Sequence, residues 1–206
     1  ELDTPVSISS SSLSLLSNRD LTTQPSCIIA HDIDPDRLKR LNGSCKRIGL
    51  ADTNISIITT SDTANLQEKS ADAVLVDAPC SSSGALRRRP SHRFQMTEQE
   101  ICEVFPPLQL EILVDAAKMV RVGGRLVYAT CSILVNENED VVDAFESLDE
   151  FRNWERWPFS AGVGDDDDGG GNGVDDSTIG RPHCWALLPS VHDCDGFFVA
   201  RWRRIE

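Results

Sequence analysis

Short apolar runs that alternate with stretches of helical periodicity constrain this chain more than any other feature. Residues 27–30 (C-I-I-A), 55–59 (I-S-I-I-T), 71–77 (A-D-A-V-L-V-D) and 125–130 (R-L-V-Y-A-T) read as strands, and residues 197–202 as a closing strand. The 71–77 run is apolar enough for burial on both faces, as inner parallel strands are. Between the first two runs, Asp34 followed by Pro35 is an N-cap with proline at the first helical position. Leu38, Leu41, Cys45 and Ile48 then recur on one helical face, and Gly49 suits the stop. Pro107 opens a second helix with Leu108, Ile112, Ala116 and Met119 on one face, ended by Gly123-Gly124. Asn136 with Glu139 has the spacing of a capping box for a third helix, through about Leu148. This alternation predicts an α/β, doubly wound, mostly parallel sheet with helices on both sides. Such sheets bind ligands beyond the carboxyl ends of their strands. That rule selects Asp32, Asp62, the stretch from Asp77 to Cys80, and Thr130-Cys131-Ser132.

A length of 206 residues suffices for one domain with a substantial core. The formal charge of −13 argues against binding nucleic acid through a simple basic patch. The charge is unevenly distributed, however. Asp165, Asp166, Asp167, Asp168, Asp175 and Asp176 lie in a low-complexity Gly/Asp insert at about residues 162–177, whereas Arg87, Arg88, Arg89 and Arg93 cluster elsewhere. No apolar run reaches membrane-spanning length, and no signal peptide is visible after Glu1. Seven cysteines with scattered spacing and no C-x-x-C point to a reducing, intracellular setting rather than a disulfide scaffold. His183, Cys184, His192 and Cys194 fit no common zinc spacing, and the aspartate tract lacks the calcium-loop pattern, so no metal is expected.

Two cysteines end two separate strands, Cys80 in D-A-P-C-S and Cys131 in A-T-C-S. Free cysteines are ordinarily small buried hydrophobes. These two lie where a doubly wound sheet builds its site, and Asp77 at a strand end is costly to bury without a role. Residues 77–81 with Ser83-Gly84-Ala85-Leu86-Arg87-Arg88-Arg89-Pro90 resemble the proline-cysteine motif of the Nop/Sun family of RNA cytosine-C5 methyltransferases, in its bacterial ribosomal-RNA type. Residues 123–132 with Asn136-Glu137-Asn138-Glu139 resemble that family's threonine-cysteine motif. His31-Asp32-Ile33-Asp34-Pro35 is similar to its ribose-binding strand end, and Asp195-Gly196-Phe197-Phe198-Val199-Ala200 to its closing strand.

The resemblance implies a Rossmann-like class I methyltransferase that moves a methyl group from S-adenosylmethionine to cytosine C5 in RNA, ribosomal RNA ahead of transfer RNA. It implies Cys131 as the nucleophile on C6, Cys80 in product release and Asp77 at the cytosine ring. Asp32 would take the cofactor ribose, Asp62 would face the adenine, and Asp77 would border the same cofactor site. Arg87, Arg88 and Arg89 would contact RNA phosphates. A turn role for Asp62 and a solvated loop for the arginines remain open beside these readings. Residues 1–26 contain no glycine and no match to the family's Gly-rich cofactor loop. The expectation is therefore an N-terminally truncated catalytic domain without its first strand, binding cofactor poorly by itself. Two other classes stay in play: a non-catalytic RNA-binding or scaffold paralogue, and a small-molecule or DNA methyltransferase on the same fold, the DNA cytosine enzymes using the proline-cysteine residue as nucleophile.

Overall fold

A computed structural model describes residues 27–50, 56–61, 68–159 and 180–206. It divides into two units, residues 1–70 and 71–206. In the first, β1 (Cys27–His31) and β2 (Ser56–Thr60) pair in parallel, with His31 opposite Thr60. A parallel pair needs a crossover, and α1 (Pro35–Arg47) supplies it. The helix starts where the sequence predicts. Asp34 is extended and its carboxylate accepts from the Asp36 N–H at 2.9 Å, with Pro35 next in line. Gly49, just beyond the C-cap, takes φ +76°, a conformation glycine adopts without strain. Of the predicted apolar stripe only Leu38 is buried.

The second unit is a five-stranded sheet of β3 (Ala71–Asp77), β4 (Val120–Thr130), β5 (Trp154–Arg156), β6 (Cys184–Leu187) and β7 (Phe197–Arg204). The order is β3-β4-β7-β5, with β6 also paired to β7. β3 and β4 run parallel, and β7 is antiparallel to β4, β5 and β6. The fold is therefore a mixed sheet flanked by α2 (Phe105–Met119) and α3 (Glu139–Glu146), with a short α4 (Pro189–His192) before β7. Alternate residues of the sheet, Val76, Leu126, Tyr128, Phe198, Ala200 and Trp202, pack on Leu113 and Ala117 of α2 and on Val141, Val142 and Phe145 of α3. Each large side chain buried this way contributes about 1.5–3 kcal/mol.

Three local expectations change. Gly123-Gly124 do not end α2; they lie within β4, where the β3 register slips between Ala71 and Ala73. A Cβ on Gly124 would sit 2.7 Å from Val120 Cγ1 and 3.0 Å from the Ala71 carbonyl, so close backbone approach demands glycine there. The buried stripe of α2 is Gln109, Leu113 and Ala117, while Leu108 faces outward. The capping box does not form. Asn136 donates to the Ile101 carbonyl at 2.7 Å instead, and residues Val135–Glu137 make a 3-10 turn.

Behind the core, the Glu146 carboxylate accepts from Trp202 Nε1 at 2.9 Å and from Arg156 at 2.6 and 2.9 Å. His183 Nε2 is 2.9 Å away, close enough for an ion pair though not aimed as a hydrogen bond requires. Burial alone would push this carboxyl up, but His183, Arg156 and Trp202 outweigh it and hold it at about 2 against an ordinary 4.5. A carboxyl depressed in the folded state adds stability above its unfolded value and loses it as pH falls toward the folded one. Glu146→Gln should therefore cost about 2 kcal/mol at neutral pH. Denaturant titrations should show that gap closing as pH drops from 4.5 toward about 2.

Candidate active site

The parallel pairing of β3 with β4 sets Asp77 opposite Ala129, so the loops that follow leave the same end of the sheet. Ala78 N–H still reaches the Ala129 carbonyl at 2.9 Å, and the loops then hold one another. Gly84 N–H donates to the Cys131 carbonyl and Gly196 N–H to the Gly84 carbonyl, both at 2.9 Å. Gln109 of α2 steadies the first loop by donating to the Pro79 carbonyl at 2.8 Å. His92 Nε2 lies 2.9 Å from the Ser81 carbonyl. The result brings Cys80 Sγ and Cys131 Sγ to 3.4 Å, both half-buried.

These sulfurs are not equivalent. A hydrogen bond from the Cys80 thiol, helped by Ser82 Oγ at 3.4 Å and opposed by burial, lowers Cys131 from 9.0 to about 6. The same bond, with burial, pushes the Cys80 thiol up. The contact and the opposite directions of the two shifts favour Cys131 over Cys80 as the thiolate of the pair. Ser82 is placed for its part by a left-handed backbone, φ 55°, which few non-glycine residues adopt. Alkylation followed cysteine by cysteine should rise at Cys131 with a midpoint near pH 6, while Cys80 stays unreactive through neutral pH. Equal labelling of the two at pH 7 would contradict the assignment.

The other predicted positions divide. Asp77 stands exposed at the end of β3, so it bears no burial cost. Its charge instead works against the Cys131 thiolate. Asp32 follows β1, accepts from the Asp34 N–H at 2.8 Å and lies 3.5 Å from Arg37 Nη1. The Asp34 N–H is the chief reason its carboxyl is held low. Asp62 lies outside the described residues. Arg87 turns to Asp193 at 3.0 Å and Arg88 to Asp195, while Arg89 makes no ion pair among the described residues. Arg93, unpaired likewise, sits 4.5 Å over the exposed Phe94 ring.

Sequence reasoning missed a buried polar cluster behind the sulfurs. Ser81, Ser83, Ser132 and Glu137 are each 5 % exposed or less and bond to one another. The signal was present as two Cys-Ser dipeptides, one after each strand. Among the described residues no group of three or more His, Cys, Asp or Glu side chains could hold a metal ion. No described helix is long and apolar enough to cross a membrane.

A parallel strand pair closed by an antiparallel strand and flanked by helices gives an α/β domain, and the family and solved structures it matches make it one of the Rossmann-like methyltransferase class. The chain belongs to the 16S rRNA methyltransferase RsmB/F family, whose description matches residues 16–203. It is similar to the ribosomal RNA small subunit methyltransferase B of Shewanella oneidensis, 33 % identical over 186 residues, covering 88 % of this chain and 38 % of that protein. The protein of that name from Pseudomonas syringae pv. tomato is 32 % identical over 187 residues, covering 90 % and 39 %. The chain thus spans about two-fifths of the length of these curated relatives. Among solved structures, PH0851 superposes with a TM-score of 0.67 at 33 % identity, over 86 % of this chain and 37 % of that one. NSun6 from Pyrococcus horikoshii with SFG gives 0.66 at 29 % identity, over 87 % and 41 %.

Proposed function

We propose that this chain carries the chemistry of an S-adenosylmethionine-dependent RNA cytosine-C5 methyltransferase acting on ribosomal RNA. The observation that carries the reading is the pair of sulfurs 3.4 Å apart beyond β3 and β4, one ready as thiolate and one held as thiol. Cytosine C5 is a poor nucleophile. The Cys131 thiolate bonds to C6, electron density moves to C5, and C5 becomes able to take a methyl group. When bound, S-adenosylmethionine supplies that methyl as an electrophilic sulfonium carbon. The C5 proton must then leave as the C6–S bond breaks, returning Cys131 as thiolate. Bonded to carbon, Cys131 no longer pairs with the Cys80 thiol, and the largest cause raising Cys80 disappears. Cys80 then gives up its own proton to solvent, and as a thiolate it takes the C5 proton while the C6–S bond breaks.

Asp77, close enough to act on Cys131, would contact the cytosine ring. Asp32 fits the cofactor ribose: a carboxylate held low is an acceptor for two hydroxyls, at a strand end where such acids serve. Asp62 is assigned to the adenine by its motif. With two of the three arginines paired to aspartates, Arg89 is the one left to reach phosphate, followed by Arg93. The relatives' names, ribosomal RNA small subunit methyltransferase B, favour ribosomal over transfer RNA. The test is methyl transfer by the full protein from labelled S-adenosylmethionine to small-subunit ribosomal RNA, digested to nucleosides. Label is expected in 5-methylcytidine; label in any other nucleoside would overturn the reading.

A further inference from the structure

Each cysteine of the site is followed by a serine that faces the other way. Cys80 and Cys131 meet at the half-buried surface, while Ser81 and Ser132 turn inward onto one carboxylate, Glu137, which is 0 % exposed. Ser81 N–H donates to Glu137 Oε1 at 2.7 Å and Ser81 Oγ donates to Oε2 at 2.6 Å. Ser132 Oγ donates to the same Oε2. Further donors feed these hydroxyls from behind. Ser83 Oγ lies 3.0 Å from Ser132 Oγ, Leu134 N–H reaches Ser132 Oγ at 3.1 Å, and Ile133 N–H reaches Ser83 Oγ at 3.0 Å. The network thus runs toward the carboxylate, which makes no ion pair among the described residues. A buried carboxylate satisfied only by neutral donors is costly to keep, and an apolar side chain would fill the space at lower cost. Its backbone is fixed independently. Tyr128 OH donates to the Glu137 carbonyl at 2.6 Å, and the next residue, Asn138, bonds Thr130 Oγ1 at 2.6 Å and the Ser132 carbonyl at 3.0 Å.

We propose that Glu137 is a positioning residue: a buried clamp that hangs the Cys80 loop on the Cys131 loop and sets the separation of the two sulfurs. As a statement about catalysis this rests on the two-cysteine reading above; as a statement about the thiols it does not. The Cys80–Cys131 hydrogen bond works only near contact, and Ser82, between the Ser81 and Ser83 anchors, must keep its left-handed backbone to reach Cys131. Loosening the clamp lets the sulfurs part, and Cys131 reverts toward an ordinary thiol even in a folded protein.

The experiment is iodoacetamide alkylation of the full protein from about pH 5 to about pH 9, with Cys80 and Cys131 quantified separately by peptide mass. Glu137→Gln keeps the size but presents an amide N–H₂ to a hydroxyl that now donates. It should move the Cys131 midpoint up by about one pH or more, which is about a tenfold loss of thiolate below the midpoint. Ser81→Ala and Ser132→Ala each remove one arm and should shift it the same way by less; they keep the test open if Glu137→Gln does not fold. A merely structural role predicts lower melting temperatures with the Cys131 profile unmoved, and that result overturns the clamp. Because alkylation needs neither RNA nor cofactor, the outcomes separate. A moved profile with methylation intact in Cys131→Ala sinks the functional reading and keeps the clamp. An unmoved profile sinks the clamp and leaves the functional reading standing.

Discussion

Cys131→Ala should abolish the covalent protein–RNA species formed on RNA containing 5-azacytosine, and should lower methylation by several orders of magnitude, the scale seen when a covalent nucleophile is removed. The azacytosine ring carries nitrogen at position 5, with no proton to lose. Elimination therefore cannot follow attack, and the C6–S bond persists through denaturing electrophoresis. Without a sulfur at position 131 nothing adds to C6, and C5 stays unactivated. Cys80→Ala should behave differently. Attack still occurs, although Cys131 loses the thiol that lowers it and becomes a slower nucleophile at neutral pH. On ordinary cytosine the adduct should now accumulate, because on the proposed reading Cys80 is the base for the C5 proton. Neither change should cost more than about 1 kcal/mol of stability, since each removes one half-buried sulfur without leaving a buried polar group unpaired. The inverse pattern, with adduct lost in Cys80→Ala and kept in Cys131→Ala, would make Cys80 the nucleophile, as in DNA cytosine enzymes. No adduct in the native protein would favour a non-catalytic RNA-binding role.

What the sequence makes legible is whatever is local. Asp34 and Pro35 start α1 because capping and a fixed φ act within a few residues, and both are seen at work. The strand-end positions of Cys80 and Cys131 are equally local, and parallel pairing converts them into neighbours 3.4 Å apart. Where a residue's role depends on what crosses over it, reading fails. Gly123-Gly124 looks like a helix stop, but the backbone of β3 passing at Ala71 makes it a bulge. Asn136 and Glu139 have capping spacing, but the Ile101 carbonyl claims Asn136 first. Asp77 reads as a buried acid at the end of an apolar run, whereas β3 lies at the end of its sheet's strand order and leaves it exposed. Glu137 reads as one more polar residue in an Asn-Glu-Asn-Glu stretch. Its burial follows from serines contributed 56 and 5 residues away, and no single-window pattern contains both.

Gly84→Ala should be the most damaging small substitution in the second unit, and its effect follows from atoms already in place. A Cβ there would lie 2.2 Å from the Gly196 carbonyl oxygen, 2.7 Å from its carbon and 2.8 Å from the Cys131 carbonyl oxygen. All three are backbone, so no side chain can swing aside. The strain is steric rather than conformational, since Gly84 is not among the residues with positive φ. To admit one methyl group, the Cys80 loop must lift from both partners. It then loses the Gly84 N–H bond to the Cys131 carbonyl and the Gly196 N–H bond to the Gly84 carbonyl. Overpacking on this scale costs roughly 3 kcal/mol, which in a chain of this size lowers the melting temperature by roughly 6–12 °C. The lift also separates the sulfurs, so the Cys131 alkylation midpoint should rise and adduct formation should fall together. Gly43→Ala is the matched control. Gly43 lies inside α1, a Cβ there meets nothing within 4 Å, and alanine should stabilise the helix by about 0.5–1 kcal/mol without touching thiol reactivity. If Gly84→Ala instead melts like the native protein and keeps Cys131 reactive near pH 6, the close packing of the two cysteine loops against Gly196 is not what holds the site.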